Sequence, residues 1–176
     1  KELLHFVEFA VFGSLPTEVS DFLHVFGFDA SGELVERARL GLGVKTFFTV
    51  ALSALDVDGD AVDDLVYTRP NSSVVTVWLG GAGGLAATPV TRTVSAGGVA
   101  TPSYADGDGD GDLDLYFVGP GDALLFAENL GGGAFGAGQV ATGASGALSF
   151  VVDFDGDGQP DVVRPQSGDL VFQRGI

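Results

Sequence analysis

Three short acidic loops recur along the chain, and they constrain its fold more than any other feature of the sequence. Aligned without gaps, they read DVDGDAVDDLV from Asp56, DGDGDGDLDLY from Asp106 and DFDGDGQPDVV from Asp153. Their starts lie 50 and 47 residues apart. A period in this range is typical of architectures in which each repeat is one supersecondary unit that stacks on its neighbours.

Each acidic loop lies in the same pattern of short apolar runs. One run precedes the loop (47–52, 99–105, 148–152), and a second follows it (65–67, 115–118, 162–163). A proline is expected to end the second run: Pro70, Pro120 and Pro165. A third run (74–79, 123–127, 170–173) leads through a glycine-rich turn to a more polar fourth run (88–95, 139–142). Short β-branched and aromatic runs bounded by Gly, Pro and Asp indicate strands, and four antiparallel strands per repeat form the unit of a propeller blade.

We therefore expect an all-β protein built of β-propeller-type blades of four antiparallel strands, about two complete blades plus two partial ones. Residues 1–176 are predicted to form a single repeat domain, with blades at 44–96 and 97–144 and an incomplete blade at 145–176. Residues 1–43 are expected to hold a partial blade and a spare, apolar N-terminal strand from Lys1 to Phe12. In that segment, Phe22 to Phe28, a turn at Ala30-Ser31-Gly32 and Glu33 to Leu40 predict the last two strands of an earlier blade.

The formal charge of −16 is concentrated in the three loops, which hold 14 of the 24 acidic residues. The rest of the chain carries 10 acids against 8 bases. Nucleic acid is therefore not an expected partner, because phosphate binding needs a basic face. No stretch reaches the ~18 apolar residues of a membrane span, so we expect no membrane insertion. The absence of cysteine excludes disulfides, a thiol nucleophile and a cysteine-based zinc site.

The loops are predicted to bind a divalent cation, since each places Asp at positions 1, 3, 5 and 9. Carboxylates held this close raise one another's pKa values unless a cation lies between them. Oxygen ligands without His or Cys favour Ca²⁺ or Mg²⁺, and the flexible geometry of Ca²⁺ suits a loop of Asp side chains plus the carbonyl at position 7. About three ions are expected. The predicted ligands are Asp56, Asp58, Asp60, Val62 and Asp64 in the first loop, Asp106, Asp108, Asp110, Asp112 and Asp114 in the second, and Asp153, Asp155, Asp157, Gln159 and Asp161 in the third.

Glycine occupies position 4 of every loop and position 6 of the second and third loops. The first loop has Ala61 at position 6 instead. If that position requires a positive φ angle, alanine there costs on the order of 1 kcal/mol. We expect the first site to bind most weakly.

Competing interpretations are less consistent with the residues. An EF-hand needs a bidentate Glu at position 12, where this chain has Tyr67, Phe117 and Arg164. His5 and His24 are expected to be strand residues, and no Gly-x-Ser-x-Gly elbow occurs. Trp78 and Tyr116 are expected to lie in the core rather than to stack on a sugar. No catalytic or organic-cofactor site is predicted, and we expect the protein not to be an enzyme.

The loops in their strand–loop–strand setting resemble the FG-GAP or VCBS repeats of integrin-α-type β-propellers. Trp78-Leu79-Gly80 through Gly84-Leu85, and Asn129 through Gly133-Ala134-Phe135, are similar to that family's turn between the third and fourth strands. The three prolines lie near the place of its Gly-Ala-Pro, although the tripeptide never occurs here. The resemblance covers roughly residues 44–176 well and residues 22–43 faintly, and it implies that each acidic loop joins the first and second strands of a blade.

The leading functional prediction is a non-catalytic, calcium-binding extracellular or cell-surface module for adhesion or for binding a protein or glycan. Millimolar calcium outside cells fills sites of modest affinity. An alternative is a structural subunit of a calcium-stabilised extracellular filament or surface layer, in which copies of the chain assemble by strand addition. A further alternative is an accessory domain of a larger secreted enzyme.

Overall fold

The structure, a computed structural model, describes residues 22–28, 31–41, 51–70, 72–95, 97–145 and 149–176. Within these ranges the chain forms β-strands and a single 3₁₀ turn at Pro120–Asp122. The strands are β1 Phe22–Phe28, β2 Leu34–Gly41, β3 Ala51–Leu55, β4 Asp64–Thr68, β5 Val74–Trp78, β6 Val90–Thr93, β7 Ala100–Ala105, β8 Asp114–Val118, β9 Ala123–Ala127, β10 Gln139–Ser145, β11 Phe150–Val152, β12 Asp161–Gln166 and β13 Asp169–Gln173. The predicted all-β fold class is confirmed.

Three antiparallel sheets follow one another along the chain. The first sheet has the order β3-β4-β5-β6, the second the order β10-β9-β8-β7, and the third the order β11-β12-β13. Each sheet is a meander whose consecutive strands pair, which is the arrangement of a propeller blade. The four-stranded sheets have the blade-like form that the repeats predict, and the described residues do not form a closed ring.

The prediction that a proline ends the second strand holds in two repeats and is wrong in the third. Pro70 follows β4, and Pro120 begins the 3₁₀ turn after β8. Pro165 instead lies inside β12, opposite Leu170 of β13. On the other side of β12, the pairing with β11 that the structure describes runs from Asp161 to Val163. Proline lacks an N–H but is tolerated in a strand where the ladder does not need that donor.

The chain divides into two compact units, residues 1–48 and residues 49–176. In the first unit, β1 and β2 pair as an antiparallel hairpin with an irregularity between Val25 and Phe26. These strands match the two predicted from the sequence for 22–40. The predicted strand from Lys1 to Phe12, His5, Ala30 and residues 47–50 of the first run lie outside the described residues. The predicted domain boundaries stay a prediction.

The second unit contains two clusters of buried apolar side chains. The first core joins residues of the first sheet, such as Val66 and Val77, to residues of the second, such as Leu115 and Phe117. The second core joins another set from the second sheet, among them Tyr116 and Leu124, to Val151 and Val162 of the third. Side chains alternate between the faces of a strand, so neighbouring residues of β8 enter different cores. The second sheet is therefore buried on both faces.

Within the described part of the chain, no helix has the length and hydropathy that a membrane crossing requires.

Candidate metal centres

Each acidic loop connects the first two strands of its sheet. The loops lie between β3 and β4, between β7 and β8, and between β11 and β12. In every repeat the Asp at position 9 is the first residue of the second strand, and position 12 lies within that strand. The loops are thus enclosed by strands rather than helices, which is inconsistent with an EF-hand.

The carboxylate at position 9 is fully buried and accepts a backbone hydrogen bond on each oxygen. In the first loop, Asp64 Oδ2 accepts from the Val57 N–H at 2.9 Å, and Oδ1 accepts from the Gly80 N–H at 2.6 Å. The pattern recurs at Asp114, with Gly107 at 2.8 Å and Asn129 at 2.7 Å, and at Asp161, with Phe154 and Gly175 both at 3.0 Å. One donor belongs to the loop and the other lies two residues after the third strand. This Asp therefore ties the loop to the far side of its own sheet.

The carboxylate at position 1 is wrapped by the backbone of its own loop. Asp56 Oδ1 accepts from the Gly59 N–H and Oδ2 from the Ala61 N–H, both at 2.8 Å. The corresponding bonds in the other loops are Gly109 to Asp106 Oδ1 at 2.8 Å, Gly111 to Asp106 Oδ2 at 3.0 Å, Gly156 to Asp153 Oδ1 at 2.7 Å and Gly158 to Asp153 Oδ2 at 3.0 Å. The N–H groups of positions 4 and 6 thus point inward.

This wrapping requires positive φ angles at positions 4 and 6. Position 4 has φ of 79°, 82° and 77° in the three loops, and the glycines at position 6 of the second and third loops have 97° and 86°. Ala61 has φ of 67°. Ala61 therefore meets the condition of a positive φ, on which its predicted energetic cost depends.

Three clusters of carboxylates result, each made of positions 1, 3 and 9. The ligating oxygens within a cluster all lie within 4.8 Å of one another. The clusters are Asp56, Asp58 and Asp64; Asp106, Asp108 and Asp114; and Asp153, Asp155 and Asp161.

The predicted ligands at position 5 are not members of these clusters in the described part of the chain. Instead, Asp60 Oδ1 accepts from the N–H of Val62, at position 7, at 2.8 Å. Asp110 and Asp157 accept the same bond from Asp112 at 3.1 Å and from Gln159 at 2.9 Å. The predicted carbonyl ligands of Val62, Asp112 and Gln159 stay a prediction.

In the first two loops, burial and mutual repulsion oppose the ionisation of all three carboxylates of the cluster. Burial raises the pKa of Asp64 and Asp114 above the usual aspartate value, although two N–H groups lower it at each, and neighbouring carboxylates raise it further. Burial also raises the pKa of Asp112 to about 6, and the charges of Asp110 and Asp114 add to this. Among the described residues, the buried Asp112 Oδ1 has no hydrogen-bond partner. A hard cation bound by these oxygens would attract each carboxylate and so offset their mutual repulsion.

The third loop is balanced differently. Asp155 Oδ2 lies 3.3 Å from Arg174 Nη1. At Asp161, burial raises the pKa, but hydrogen bonds from Gly175, Phe154 and Asp155 and the charge of Arg174 outweigh burial, so the pKa lies below its usual value. A side-chain cation therefore already offsets part of the charge of this cluster.

Asn129 is a structural residue of the sites that the sequence argument treated only as part of a turn. It is 4% exposed. Its Nδ2 donates to the carbonyl oxygens of Val57 at 2.8 Å and Leu113 at 3.2 Å, and its Oδ1 accepts from Gly131 at 3.0 Å. Since Val57 belongs to the first loop and Leu113 to the second, Asn129 connects two candidate sites. In the sequence, Asn129 could have been recognised because the equivalent positions of the other two repeats are glycines, Gly80 and Gly175.

Among the residues considered for other chemistry, Tyr116 lies beside the second cluster, where burial and the charges of Asp114, Asp106 and Asp108 raise its pKa to about 12. Trp78 and Tyr116 are 3% and 2% exposed, so their predicted place in the core is confirmed. His24 lies in β1, as predicted for a strand residue.

The all-oxygen donor set of each cluster fits a hard divalent cation such as Ca²⁺. Each carboxylate oxygen has two lone pairs, so the oxygens that accept backbone hydrogen bonds keep capacity for a cation. No nitrogen or sulfur ligand belongs to any of the three clusters, which argues against zinc.

Comparison with known proteins identifies one family. The FG-GAP-like repeat family matches residues 56–117 and 106–164. Each match begins at the first Asp of one loop and extends into the second strand of the next repeat, so the two matches overlap by the length of one loop and strand. No curated protein and no solved structure matches the chain significantly.

Proposed function

Because the chain belongs to the FG-GAP-like repeat family, we propose that it is an extracellular, calcium-stabilised module that binds a protein or a glycan. The family is generally non-catalytic, and the proposal assigns no reaction to this chain. Repeats of this family are typical of extracellular adhesion-type β-structures, and we therefore propose an extracellular location for this protein. Millimolar calcium in that compartment would occupy sites of modest affinity.

The observation that carries the proposal is the threefold recurrence of one carboxylate geometry. A single acidic turn is common on protein surfaces, but here three loops repeat the same cluster, the same buried Asp and the same backbone donors. Positions 1, 3 and 9 are proposed as carboxylate ligands. Position 5 and the carbonyl at position 7 are proposed to complete each set.

Calcium is proposed to act mainly on stability. The Asp at position 9 holds the loop to the end of the third strand, but burial raises its pKa in the first two loops. A bound dication removes the repulsion that opposes this arrangement. Occupied sites would therefore hold the first, second and third strands of a sheet together, and they would keep the exposed loops in one conformation for a partner.

Calcium titration followed by thermal unfolding tests the proposal. A cation that binds only the folded state increases the free energy of unfolding by about 2.7 kcal/mol per site when its concentration is 100 times its dissociation constant. The unfolding midpoint therefore rises. We expect a rise of several degrees in the wild type at millimolar calcium, and calorimetric titration is expected to give about three ions per chain. No rise in the midpoint would contradict the proposal.

Substitutions at position 3 identify the sites individually. Asp58 and Asp108 are exposed. Asp58 Oδ1 accepts a hydrogen bond from the Asp60 N–H at 3.3 Å, and Asp108 Oδ1 accepts one from the Asp110 N–H at 3.1 Å. Asp58→Asn and Asp108→Asn preserve that acceptor and remove the charge. Each is expected to abolish binding at one site. Asp63→Asn is the matched control, because Asp63 is an exposed acid of the first loop outside its cluster.

The position-5 proposal is tested separately with Asp60→Asn. If Asp60 contributes a ligand, this variant weakens calcium binding at the first site as Asp58→Asn does. If it behaves like Asp63→Asn, position 5 is not a ligand, and the proposal for positions 1, 3 and 9 is unaffected.

A second candidate function is a subunit of a filament or surface layer that assembles by strand addition. The observation that favours it is the edge strand β13. In the first and second sheets the third strand pairs with a fourth, whereas β13 has no partner on its outer side among the described residues. An unpaired edge can accept a strand from another chain. Negative-stain imaging with and without calcium tests it, and the absence of elongated particles at high concentration would exclude it.

A further inference from the structure

Asn129 makes side-chain contacts that the equivalent residues of the other two repeats cannot make. In all three repeats, the residue two places after the third strand donates its N–H to the Asp at position 9 of its own loop. That residue is Gly80 in the first repeat and Gly175 in the third, so this bond requires no side chain. The contacts of the Asn129 amide are therefore an addition that is specific to the second repeat.

Through these contacts, three hydrogen bonds connect the buried carboxylates of two loops. The Asn129 N–H donates to Asp114 Oδ1 at 2.7 Å, and Asn129 Nδ2 donates to the Val57 carbonyl at 2.8 Å. The Val57 N–H in turn donates to Asp64 Oδ2 at 2.9 Å. Asp64 and Asp114 have no exposed surface, and each belongs to the carboxylate cluster of its loop. The path from one cluster to the other therefore runs through two residues, Asn129 and Val57.

The amide of Asn129 is held in one orientation by both loops and by its own turn. Its Oδ1 accepts from the Gly131 N–H at 3.0 Å, and its Nδ2 also donates to the Leu113 carbonyl of the second loop at 3.2 Å. Exchanging the oxygen and the nitrogen would place Oδ1 against two carbonyl oxygens, which cannot donate a hydrogen. Rotation of the side chain would therefore break hydrogen bonds to both loops at once.

Packing keeps the turn that carries Asn129 against the first sheet. Asn129 and Phe135 pair across this turn, and Phe135 is 2% exposed within the first core. The backbone at Gly133 lies so close to the first sheet that a Cβ atom there would be 3.1 Å from Val77 Cγ1. Asn129 therefore stays within reach of Val57, and order in the second loop decides how firmly its N–H and its amide are anchored.

We propose that Asn129 couples the first and second sites, so that calcium bound at one site raises the affinity of the other. When the second loop is ordered around an ion, Asp114 and Leu113 anchor the backbone and the amide of Asn129. The anchored amide holds the Val57 carbonyl, so part of the conformational entropy of the first loop is lost before that loop binds its own ion. Asn129 is a positioning residue in this scheme, and the inference rests on the proposed calcium binding.

The third site lacks this connection. Gly175 stands at the equivalent position of the third sheet and has no side chain that could make the corresponding contact with the second loop. We therefore expect Asn129-type coupling between the first and second sites but not between the second and third. Repulsion between bound cations acts on every pair of sites with the opposite sign, and it is largely screened at about 500 mM salt.

Calcium titration of the full chain, followed by NMR in about 500 mM salt, measures each site separately. The N–H groups of Ala61, Gly111 and Gly158 each donate to the Asp at position 1 of their own loop, so each amide signal reports one site.

Removing one site at a time reveals the coupling. Asp108→Asn removes the second site, and we expect it to raise the dissociation constant of the first site about fivefold or more. Linkage requires Asp58→Asn to raise the dissociation constant of the second site by the same factor. Asp155→Asn is the matched control, because it removes the third site and a charge of the same kind. It is expected to leave the dissociation constant of the second site unchanged.

Asn129→Gly tests whether the coupling runs through the amide. Glycine is the residue that the other two repeats use, and it keeps the N–H that donates to Asp114. In this background, Asp108→Asn is expected to change the dissociation constant of the first site less than about twofold. If Asn129 only stabilised the turn, Asn129→Gly would weaken both sites, but Asp108→Asn would have the same effect as in the wild type.

Hydrogen exchange gives a second measurement that needs no substitution at Asn129. In Asp58→Asn, calcium bound at the second site is expected to slow exchange of the Val57 N–H about fivefold or more. The control is the Phe154 N–H in Asp155→Asn, since Phe154 makes the equivalent bond to Asp161. Its exchange is expected to slow much less, whereas protection against global unfolding alone would slow both amides alike.

Three results would overturn the inference. The first is an equal dissociation constant of the first site in the wild type and in Asp108→Asn. The second is coupling that persists in Asn129→Gly. The third is exchange at Val57 that calcium changes no more than exchange at Phe154, and this result decides alone if Asn129→Gly does not fold. Failure of calcium to bind at any site would instead overturn the proposed function, and this inference with it.

Discussion

Replacing Ala61 with glycine should stabilise the protein and strengthen the first site. Ala61 has φ of 67° because its N–H must reach Asp56 Oδ2. A residue with a Cβ atom loses about 1–2 kcal/mol in this left-handed conformation. Replacement by glycine removes this strain from the folded state. It also raises the conformational entropy of the unfolded chain, which lowers stability by about 0.4–1 kcal/mol. Since Ala61 is exposed and contributes little packing, we expect a net gain of about 0.5–1 kcal/mol.

Two measurements follow from this gain. The unfolding midpoint should rise by about 2–4 °C per kcal/mol for a chain of this size. If the loop is ordered only when the cation binds, this gain in free energy lowers the calcium dissociation constant of the first site by about 2–5-fold. Calorimetric titration of Ala61→Gly beside the wild type measures it, and it also tests whether the first site is the weakest in the wild type.

The other loops provide the reciprocal experiment. Gly111→Ala places a Cβ atom at φ of 97°, and no atom lies within 4 Å of that Cβ position, so backbone strain is the only expected cost. It should weaken the second site by a similar factor. Gly81→Ala is the control, because its φ is not positive and its Cβ position is equally open. Destabilisation by Ala61→Gly, or equal behaviour of Gly111→Ala and Gly81→Ala, would refute the reasoning.

Three further predictions concern the connections of the loops. Asn129→Ala removes an amide that donates to one buried and one partly buried carbonyl oxygen. We expect the free energy of unfolding, measured in urea, to fall by about 2–4 kcal/mol, whereas Leu130→Ala at the exposed neighbour should hardly change it. In a chelator, the folded-state pKa of about 6 at Asp112 lies above its unfolded value near 3.8. Its contribution to stability is therefore fully present below pH 4 and is lost as the pH rises through 6. Midpoints recorded from pH 4 to pH 7 should show this decline, and Asp112→Asn should flatten it. Arg174→Gln removes a cation that lies 3.3 Å from Asp155, and competition titrations should show severalfold tighter calcium binding at the third site; weaker binding would contradict the assigned role of Arg174.

The sequence was sufficient to predict features that depend on local geometry. Glycine at position 4 of every loop and at position 6 of two loops made a positive φ a condition of the sequence analysis, and the structure meets this condition in all three loops; glycine adopts that conformation without strain. Strands β1, β5 and β9 were predicted within one or two residues, since alternation and turn residues act over short distances. The wrong prediction at Pro165 arose because strand pairing, rather than local geometry, decides where β12 ends. Whether a strand tolerates proline depends on which of its backbone N–H groups the neighbouring strands need, and the composition of the second run does not specify this.

Spacing and composition therefore determined that this chain repeats a strand–loop–strand unit with a carboxylate cluster in each loop. Both properties arise from neighbouring residues, whose relative positions are restricted by the covalent chain. Only the tertiary structure decided which carboxylates meet, that the Asp at position 9 accepts a donor lying 14 to 16 residues away, and that Asn129 joins two loops. It also decided that Val57 is buried whereas Phe154, at the same position of its loop, is exposed. The physical reason is that burial and hydrogen-bond partners are supplied by a neighbouring sheet. Val57 of the first loop has such a neighbour, whereas Phe154 of the third loop has none among the described residues.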